Sequence, residues 1–446
     1  MSDLLSIGAS GVRAYQSALT VTGENIANVG SAGYTRRSVR MTEISGGVGA
    51  VDRSASNGVL MTGIVRAGNS YTQLAVRSSG ADLARSASGA QWLDRIEKAM
   101  TGNELAGRVT GFFNAATGLA AEPDSGALRT RMLNAAGSTA IAFTATGRAF
   151  DQIDADLDSA GVQATAQLNS LGTSLVQVND GISRTPPDSA AAAQLADQRD
   201  AILDQMSTLA DIGVTLDPLG RATVKLGGAS GTAFVEKNTV NGLAYSRNTD
   251  GSVALSVVNG LDRLSVSLNG GELAGIVDGA QKAAASRTDL NNVAKDFVLK
   301  VNETQLAGQD QAGVAGTKMF NASDGKPTEI TLNFDSGSKI AAAKNNLGKR
   351  DSSNLADLQA LRTDRGWEAK LTQITTDNAS ALDQKNTIIA AQTAIRDGAV
   401  SAQSSVAGVN MDSEAVELMR FQQAYSASSR VIQVARDTLQ TILDIR

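Results

Sequence analysis

Residues 411–446 read MDSEAVELMRFQQAYSASSRVIQVARDTLQTILDIR, a stretch with no glycine or proline to interrupt a helix. Apolar and small side chains recur in it at alternating spacings of three and four, the heptad pattern of a helix that packs along another helix. Asp412 is the predicted N-cap, and Glu414 and Glu417 suit the positive end of the helix dipole. The apolar stripe consists of Leu418, Phe421, Tyr425, Ser428, Ile432, Ala435, Leu439 and Ile442.

The other end of the chain repeats this spacing. Its stripe is Leu5, Gly8, Val12, Tyr15, Leu19, Thr22 and Ile26, and beside it runs a second stripe of Leu4, Ile7, Gly11, Ala14, Ala18 and Val21. Neither helix has local sequence against which to bury its apolar face, so we expect the first helix to pair with the last. Glycine and alanine permit close approach but bury little area, so the pair should be marginally stable.

Two interpretations of these stripes are open. They are either an ordinary two-helix core element, or faces that are completed by other copies of the chain in an assembly. In the second case we expect the helices to stay mobile in the monomer and to become ordered against their neighbours.

The segment after the first helix, residues 25–37, reads NIANVGSAGYTRR. Asn28, Gly30 and Gly33 tolerate positive φ and should end the helix. The segment resembles the Asn-Ile-Ala-Asn-x-x-Thr-Pro-Gly-Tyr signature of bacterial flagellar axial proteins, which comprise the rod, hook and hook-associated families. Ser31 and Ala32 replace Thr-Pro, so we expect a softer turn. The matching residues are Asn25, Ile26, Ala27, Asn28, Gly33 and Tyr34.

Further segments resemble the flagellar hook-associated protein 1 family, in the same order along the chain. Rod and hook proteins share the two ends but, as families, lack the long helical stretches between them. Gln305 departs from the pattern, since the family often has His there. The matching segments are GVLMTGIVR (58–66), YTQLAVR (71–77), GFFN (111–114), EPDS (122–125), NGGELAGI (269–276), residues 301–320, GVNMD (408–412) and RFQQAY (420–425).

The middle of the chain is helical except for one β-rich insert. Residues 71–210 are rich in alanine, and the helical spacing is broken by Pro186-Pro187, after which Asp188 or Ser189 caps the next helix. From Asp211 onward, alternation with period two and turn signals such as Asn269-Gly270 predict strands, and helix resumes near Ala280.

The predicted fold is therefore mainly α with a β insert, in nested discontinuous domains. The parts are a terminal coiled-coil domain (1–40 plus 405–446), a connecting segment (41–70), an α-helical body (71–210 plus 281–404) and an outer β-rich domain (211–280). The resemblance implies two outer β domains in most family members, whereas this chain has room for one.

Composition excludes several chemistries. The 446 residues include no cysteine and no histidine, so disulfides, thiolate nucleophiles, imidazole bases and Cys- or His-ligated metals are absent. The net charge of −5 means that basic residues are not in excess, which argues against binding to nucleic acid. No run of eighteen apolar residues predicts a membrane span, and the MSDLLSIGA start lacks the features of a cleavable signal peptide.

Two further features of the sequence are weak candidates for a catalytic or ligand-binding site. Asp151, Asp154, Asp156 and Asp158 could serve acid–base work or Ca²⁺, but in a helical run they are better interpreted as a solvated face. Residues 227–231, GGASG, lack a following Lys-Ser/Thr, so we interpret them as a hairpin loop and not as a phosphate cradle. We expect no catalytic residue, cofactor or metal, and we expect Phe112, Phe113, Trp92 and Trp367 to lie in the core.

The resemblance implies a structural subunit at the hook–filament junction, outside the cell, that is exported without a cleaved signal peptide. It implies as partners the hook protein, a second hook-associated junction protein, an export chaperone at the C-terminal helix and further copies of the chain. The alternatives are a rod or hook subunit, or a secreted carboxylate-dependent glycan hydrolase. The expected assembly contacts are Leu5, Val12, Tyr15, Leu19, Ile26, Leu418, Phe421, Tyr425, Ile432, Leu439 and Ile442.

Overall fold

Nine α-helices, one short 3-10 helix (Gly337–Lys339) and thirteen strands make up the parts of the chain that the computed structural model describes, residues 2–31, 33–44, 58–323 and 325–444. The helices are α1 (Ser2–Ala27), α2 (Ser70–Thr101), α3 (Leu105–Ala121), α4 (Gly126–Arg184), α5 (Ala190–Leu209), α6 (Glu272–Ala307), α7 (Ser353–Arg365), α8 (Trp367–Ala407) and α9 (Met411–Asp444). The predicted fold class, mainly α with a β insert, is confirmed. Among the described residues, no helix is long and apolar enough to cross a bilayer.

The strands form five small antiparallel sheets. β1 (Arg37–Glu43) pairs with β2 (Val59–Arg66) directly after α1, and the residues between them lie mostly outside the described part. Two short pairings lie in the body: β10 (Gly308–Gln309) pairs with β13 (Ala343–Lys344), and β11 (Phe320–Ser323) pairs with β12 (Lys326–Leu332). The second of these pairings is a hairpin.

The β-rich insert contains two sheets. Strands β3 (Ile212–Leu216), β4 (Ala222–Leu226), β5 (Thr232–Glu236) and β6 (Thr239–Val240) form the first. Strands β7 (Gly242–Arg247), β8 (Val253–Asn259) and β9 (Asp262–Val266) form the second. Residues 227–231 connect β4 to β5, as the hairpin-loop interpretation predicted.

The helix after the insert begins earlier than predicted. We expected it near Ala280, but α6 begins at Glu272, directly after Gly271. Gly271 has φ +85°, and a Cβ there would lie 2.3 Å from the backbone nitrogen of Ala210. Only glycine permits this close crossing of the two chain segments, and the tight turn allows the helix to start at once.

Aromatic residues form the centre of the helical body. Phe113 stacks on Trp367 with ring centroids 5.6 Å apart, and Phe297 meets Trp367 edge to face. The indole N–H of Trp367 donates to Asp296 at 2.9 Å, which satisfies its polar group in the buried setting. Phe112 and Trp92 are also buried, so the predicted core positions are confirmed.

The aspartates of α4 are not a solvated face, contrary to the sequence prediction. Asp154 accepts hydrogen bonds from Arg247 (3.0 Å) and Arg287 (2.7 Å), and Asp158 accepts from Arg247 at 2.8 Å. Asp151 also pairs with Arg287. The row therefore ties α4 to the β insert and to α6. Arg95 of α2 pairs with Asp156 as well. Periodicity identified the acidic face but could not show that three arginines from distant elements lie against it.

Candidate functional site

The first and last helices pack antiparallel along one another. A Cβ on Gly8 would lie 2.6 Å from Cγ1 of Ile432, and a Cβ on Gly11 would lie 2.6 Å from Oγ of Ser428. Further along, the rings of Tyr15 and Phe421 have centroids 6.4 Å apart. Glycine at these positions brings the helix backbones together, as the composition of the first helix predicted.

Small residues form most of the buried contact on α1. Gly11, Ala14, Ala18 and Val21 of the second stripe are buried, together with Gly8 and Thr22 of the first. The larger predicted contact residues lie at the margins, since Leu5 is exposed while Val12, Tyr15, Leu19 and Ile26 are half-buried. Pairing with α9 therefore leaves these larger side chains of the first stripe partly uncovered.

On α9 the predicted stripe faces α1 but is incompletely covered. Leu418, Phe421, Tyr425 and Ile432 are half-buried. Towards the C-terminal end, Leu439 is 46% exposed and Ile442 is 54% exposed. Because α9 runs antiparallel to α1, its last turns lie beside and beyond the start of α1, where little of the chain covers them. The opposite face exposes Val416, Met419 and Val434 as well.

Asn25 holds the joint between this helix pair and the rest of the chain, and it is 1% exposed. Its Nδ2 donates to the backbone oxygen of Arg37 (2.8 Å) and to Oε2 of Glu414 (2.9 Å). Its Oδ1 accepts from the backbone N–H of Arg37 (3.0 Å) and from the Tyr34 hydroxyl (2.9 Å). All four hydrogen-bonding positions of the amide are used, so no other side chain can replace it.

Other residues of the axial-family motif shape the turn that follows. The Asn28 side chain donates to the Glu24 backbone oxygen at 2.9 Å and so satisfies a carbonyl at the end of α1. Gly30 and Gly33 have positive φ, as predicted. Ile26 is half-buried and Ala27 is exposed. The predicted softness of the Ser31-Ala32 turn falls partly on Ala32, which lies outside the described residues.

Tyr34 is fixed by its neighbours. Arg37 lies over its ring at 4.9 Å. Burial raises the pKa of the Tyr34 hydroxyl, which therefore remains a donor to Asn25. The motif thus has a structural role: it connects the end of one terminal helix to the start of the other.

Glu414 is the partner that sequence reasoning missed. We interpreted it only as a residue favoured by the helix dipole, yet it is 1% exposed and accepts a hydrogen bond from Nε of Arg36 at 2.6 Å. The predicted N-cap, Asp412, is also wrong. Asn410 caps α9 instead, because its side-chain oxygen accepts from the backbone N–H of Ser413 at 3.1 Å. The signal for Glu414 was its place four residues after Asn410 of GVNMD, which alone cannot identify a distant partner.

Ion pairs between arginines and aspartates connect the joint to the helical body. Asp197 accepts from Arg37 at 2.7 Å and from Arg66 at 2.8 Å. Asp200 accepts from Arg66 at 2.8 Å and from Arg199 at 2.7 Å. Burial by itself raises the pKa of Asp200, but the guanidinium groups of Arg199 and Arg66 outweigh burial and hold it below its ordinary value. Asp204 differs, because burial outweighs Arg77 and raises its pKa.

Comparison with known proteins places this geometry in context. Residues 93–320 match the family described as flagellar hook-associated protein FlgK helical domain. Residues 402–445 match the family described as flagellar basal body rod FlgEFG protein C-terminal. The second match covers α9, so the C-terminal helix shares its pattern with rod proteins.

Several curated relatives are named flagellar hook-associated protein 1. The one from Escherichia coli K12 is 22% identical over the whole of both chains. That from Bacillus subtilis is 22% identical over 97% of this chain and 96% of its own. A Salmonella typhimurium relative is 25% identical over 72% of this chain, which covers 60% of that protein's length.

One solved structure is also similar. It is the flagellar hook junction protein FlgK from Burkholderia pseudomallei, with a TM-score of 0.66 and 14% identity over 74% of this chain and 99% of that chain. At this identity the likeness concerns the fold.

Proposed function

The chain belongs to the flagellar hook-associated protein FlgK family, and on that premise we propose that it is a structural subunit of the bacterial flagellum that forms the junction between hook and filament. The observation that carries the proposal is the incompletely covered pair of α1 and α9, which the Asn25–Glu414 contact holds together and the Arg37–Asp197 ion pair joins to the body. The 59-residue helix α4 favours a junction protein over a rod or hook subunit, since those families lack such helical stretches.

We propose that the terminal helices make the contacts between subunits. The exposed apolar side chains near the end of α9 and the half-buried ones on α1 are costly in a lone subunit, and their burial against neighbouring copies would favour assembly. The proposed contact residues remain Leu5, Val12, Tyr15, Leu19, Ile26, Leu418, Phe421, Tyr425, Ile432, Leu439 and Ile442.

We further propose the hook protein, a second hook-associated junction protein and further copies of the chain as its partners, with an export chaperone on α9. The proposed location is the extracellular flagellum. The division of the chain into four parts also remains a proposal. Its boundaries lie between residues 40 and 41, 70 and 71, 210 and 211, 280 and 281, and 404 and 405.

The family consists of structural flagellar proteins, and we propose that the chain has no enzymatic activity, cofactor or metal. Within the described residues, no group of three or more carboxylates is arranged to hold a metal ion. The glycan-hydrolase alternative predicts turnover of peptidoglycan by the purified protein, lost on substitution of an Asp or Glu. Asp151, Asp154 and Asp158 are already paired with Arg287 and Arg247 in the structure.

Deletion of residues 405–446 tests the assembly mechanism. The body should remain helical by circular dichroism, because its aromatic centre lies outside the deleted segment. Hook–filament junctions should be absent in electron micrographs of a strain that carries only this variant. A truncated chain that still builds normal junctions would falsify the terminal-helix mechanism.

A further inference from the structure

A polar cleft of about 620 Å³ lies where the loop after α1 meets α5. Its α5 wall contains Ala190, Ala191 and Ala201, and these small side chains leave room for a helix to approach. Its charged lining residues are Glu24, Asp197 and Arg37, two carboxylates and one guanidinium. The cleft belongs to the joint but is not used by the contacts between α1 and α9.

Two buried polar atoms of the residues that line this cleft have no hydrogen-bond partner among the described residues. They are Nε of Arg37, a donor, and Oε2 of Glu24, an acceptor. Arg37 is 9% exposed and its Nη2 is used by Asp197. Oε2 of Glu24 lies 3.6 Å from Nη1 of Arg37, which is within ion-pair range but too far for a hydrogen bond.

Buried donors and acceptors are nearly always paired, so we expect these two atoms to form hydrogen bonds with a group from outside the subunit. A carboxamide can accept from Arg37 and donate to Glu24 at the same time. The Glu24 side chain is 41% exposed and can turn towards an entering group.

The chain itself carries free carboxamides of this kind on the outward face of α9. Gln422 and Gln423 lie there beside Met419, Ser426, Ala427 and Arg430 in a shallow groove. Within the described part of the chain, the side chains of both glutamines form no hydrogen bond and Arg430 forms no ion pair. Gln423 and Arg430 are seven residues apart and so project from the same side of the helix.

We infer that the cleft is a docking site for the outward face of α9 from a second copy of the chain. The Gln423 amide bridges Arg37 Nε and Glu24 Oε2, and Arg430 faces the carboxylates of the cleft. Because cleft and helix face are different surfaces, the contact is heterologous and repeats from copy to copy, as an open assembly requires. The inference rests on the proposed function, which brings copies side by side.

Cross-linking between single-cysteine variants tests this inference cleanly, because the chain has no cysteine of its own. Gln198→Cys places a thiol on the cleft rim and Gln423→Cys places one on α9. The two full-length variants, distinguished by a tag, are co-expressed in flagellated cells. A heterodimer of the two can form only between copies.

We expect the heterodimer in isolated flagella at least tenfold above that of a control pair. The control combines Gln423→Cys with Gln384→Cys, an exposed position on α8. Adding Arg430→Glu to the Gln423 variant should lower the yield about tenfold. Arg436→Glu, an exposed position on another side of the same helix, should leave it unchanged.

The outcomes separate this inference from the proposed function. Equal yields for the test and control pairs, with both variants present in the flagella, overturn the cleft contact and leave the junction role standing. Absence of the unmodified chain from isolated hook–filament junctions overturns the proposed function instead. If Gln198→Cys is not incorporated, Ala191→Cys with Gln422→Cys repeats the measurement. An ordered water that bridges Arg37 Nε and Glu24 Oε2 in assembled flagella also overturns the inference.

Discussion

Nδ2 of Asn25 donates a hydrogen bond of 2.9 Å to the carboxylate of Glu414, a residue 389 positions further along the chain. Both side chains are 1% exposed. The contact joins the last turn of α1 to the first turn of α9, and the Arg36 guanidinium on the same carboxylate compensates its buried charge. The two ends of the chain are therefore held together by one polar cluster as well as by apolar packing.

Asn25→Asp should open this joint. The substitution removes both Nδ2 donors and places a second carboxylate against Glu414, so we expect a loss of roughly 3 kcal/mol in the stability of the helix pair. Amide hydrogen exchange in α1 and α9 measures the effect, with Asn28→Asp as a half-buried control that should change exchange much less. Unchanged protection in both variants would contradict the proposed role of Asn25.

Gly8→Ala should separate α1 from α9, because its Cβ would lie 2.6 Å from Cγ1 of Ile432. Gly23→Ala is the matched control on the same helix, since a Cβ there meets no described residue within 4 Å. The control should stabilise α1 by about 1 kcal/mol, the usual helix preference of alanine over glycine. Thermal unfolding of both variants should show shifts of opposite sign. A stabilising Gly8→Ala change would mean that the two helices do not approach so closely.

Acid should weaken the contact between the joint and α5. The pKa of Asp200 lies below its ordinary value of 3.8, so its ionised form stabilises the fold above about pH 4, and that contribution is lost as pH falls through the lowered pKa. Asp200→Asn should therefore cost about 3 kcal/mol at neutral pH and progressively less below about pH 4. Urea unfolding at pH 7, 5 and 3 measures this dependence.

The control for this prediction is Asp94→Asn, which removes a surface pair with Lys98. It should change stability by less than about 1 kcal/mol at each pH. A cost of Asp200→Asn that stays constant from pH 7 to pH 3 would contradict the assigned charge interaction.

Arg129→Lys should destabilise the helical body. The buried guanidinium donates from Nε to the Pro123 backbone oxygen and from Nη1 to that of Ile340, both at 2.7 Å. A single ammonium group cannot span both carbonyls, so we expect a loss of about 2–3 kcal/mol and a lower melting temperature. Exposed Arg131→Lys is the matched control. Equal melting temperatures for the two variants would show that Arg129 does not hold these segments together.

Hydrogen exchange on the isolated chain tests the expectation that the terminal helices are mobile before assembly. Amides of α9 beyond Ala435 should exchange fastest, because Leu439 and Ile442 are exposed there. Amides of α3 should exchange slowest, since Val109 and Phe112 are fully buried. Protection of the last turns of α9 equal to that of α3 would count against mobility.

Some of this architecture follows from local pattern alone. Repeats of three and four residues identify the terminal helices, period-two alternation identifies part of the insert, and Pro186-Pro187 marks the start of α5. Alternation did not resolve β3 or β5 to β7 as separate strands; β6, for example, has only two residues, too few to show a period. Helix α6 was predicted eight residues late, since its start depends on the close approach of Gly271 to Ala210.

The sequence by itself determined the helical ends, the axial-family motif at Asn25–Tyr34 and the exclusion of thiol and imidazole chemistry. Only the tertiary structure decided which stripe is buried, which arginines meet the α4 aspartates, and that Glu414 binds Asn25. Periodicity shows that a helix has a face, but burial depends on how near the partner helix comes. Here the small side chains of Gly8, Gly11 and Ala14 set that distance and leave the larger side chains at the margin.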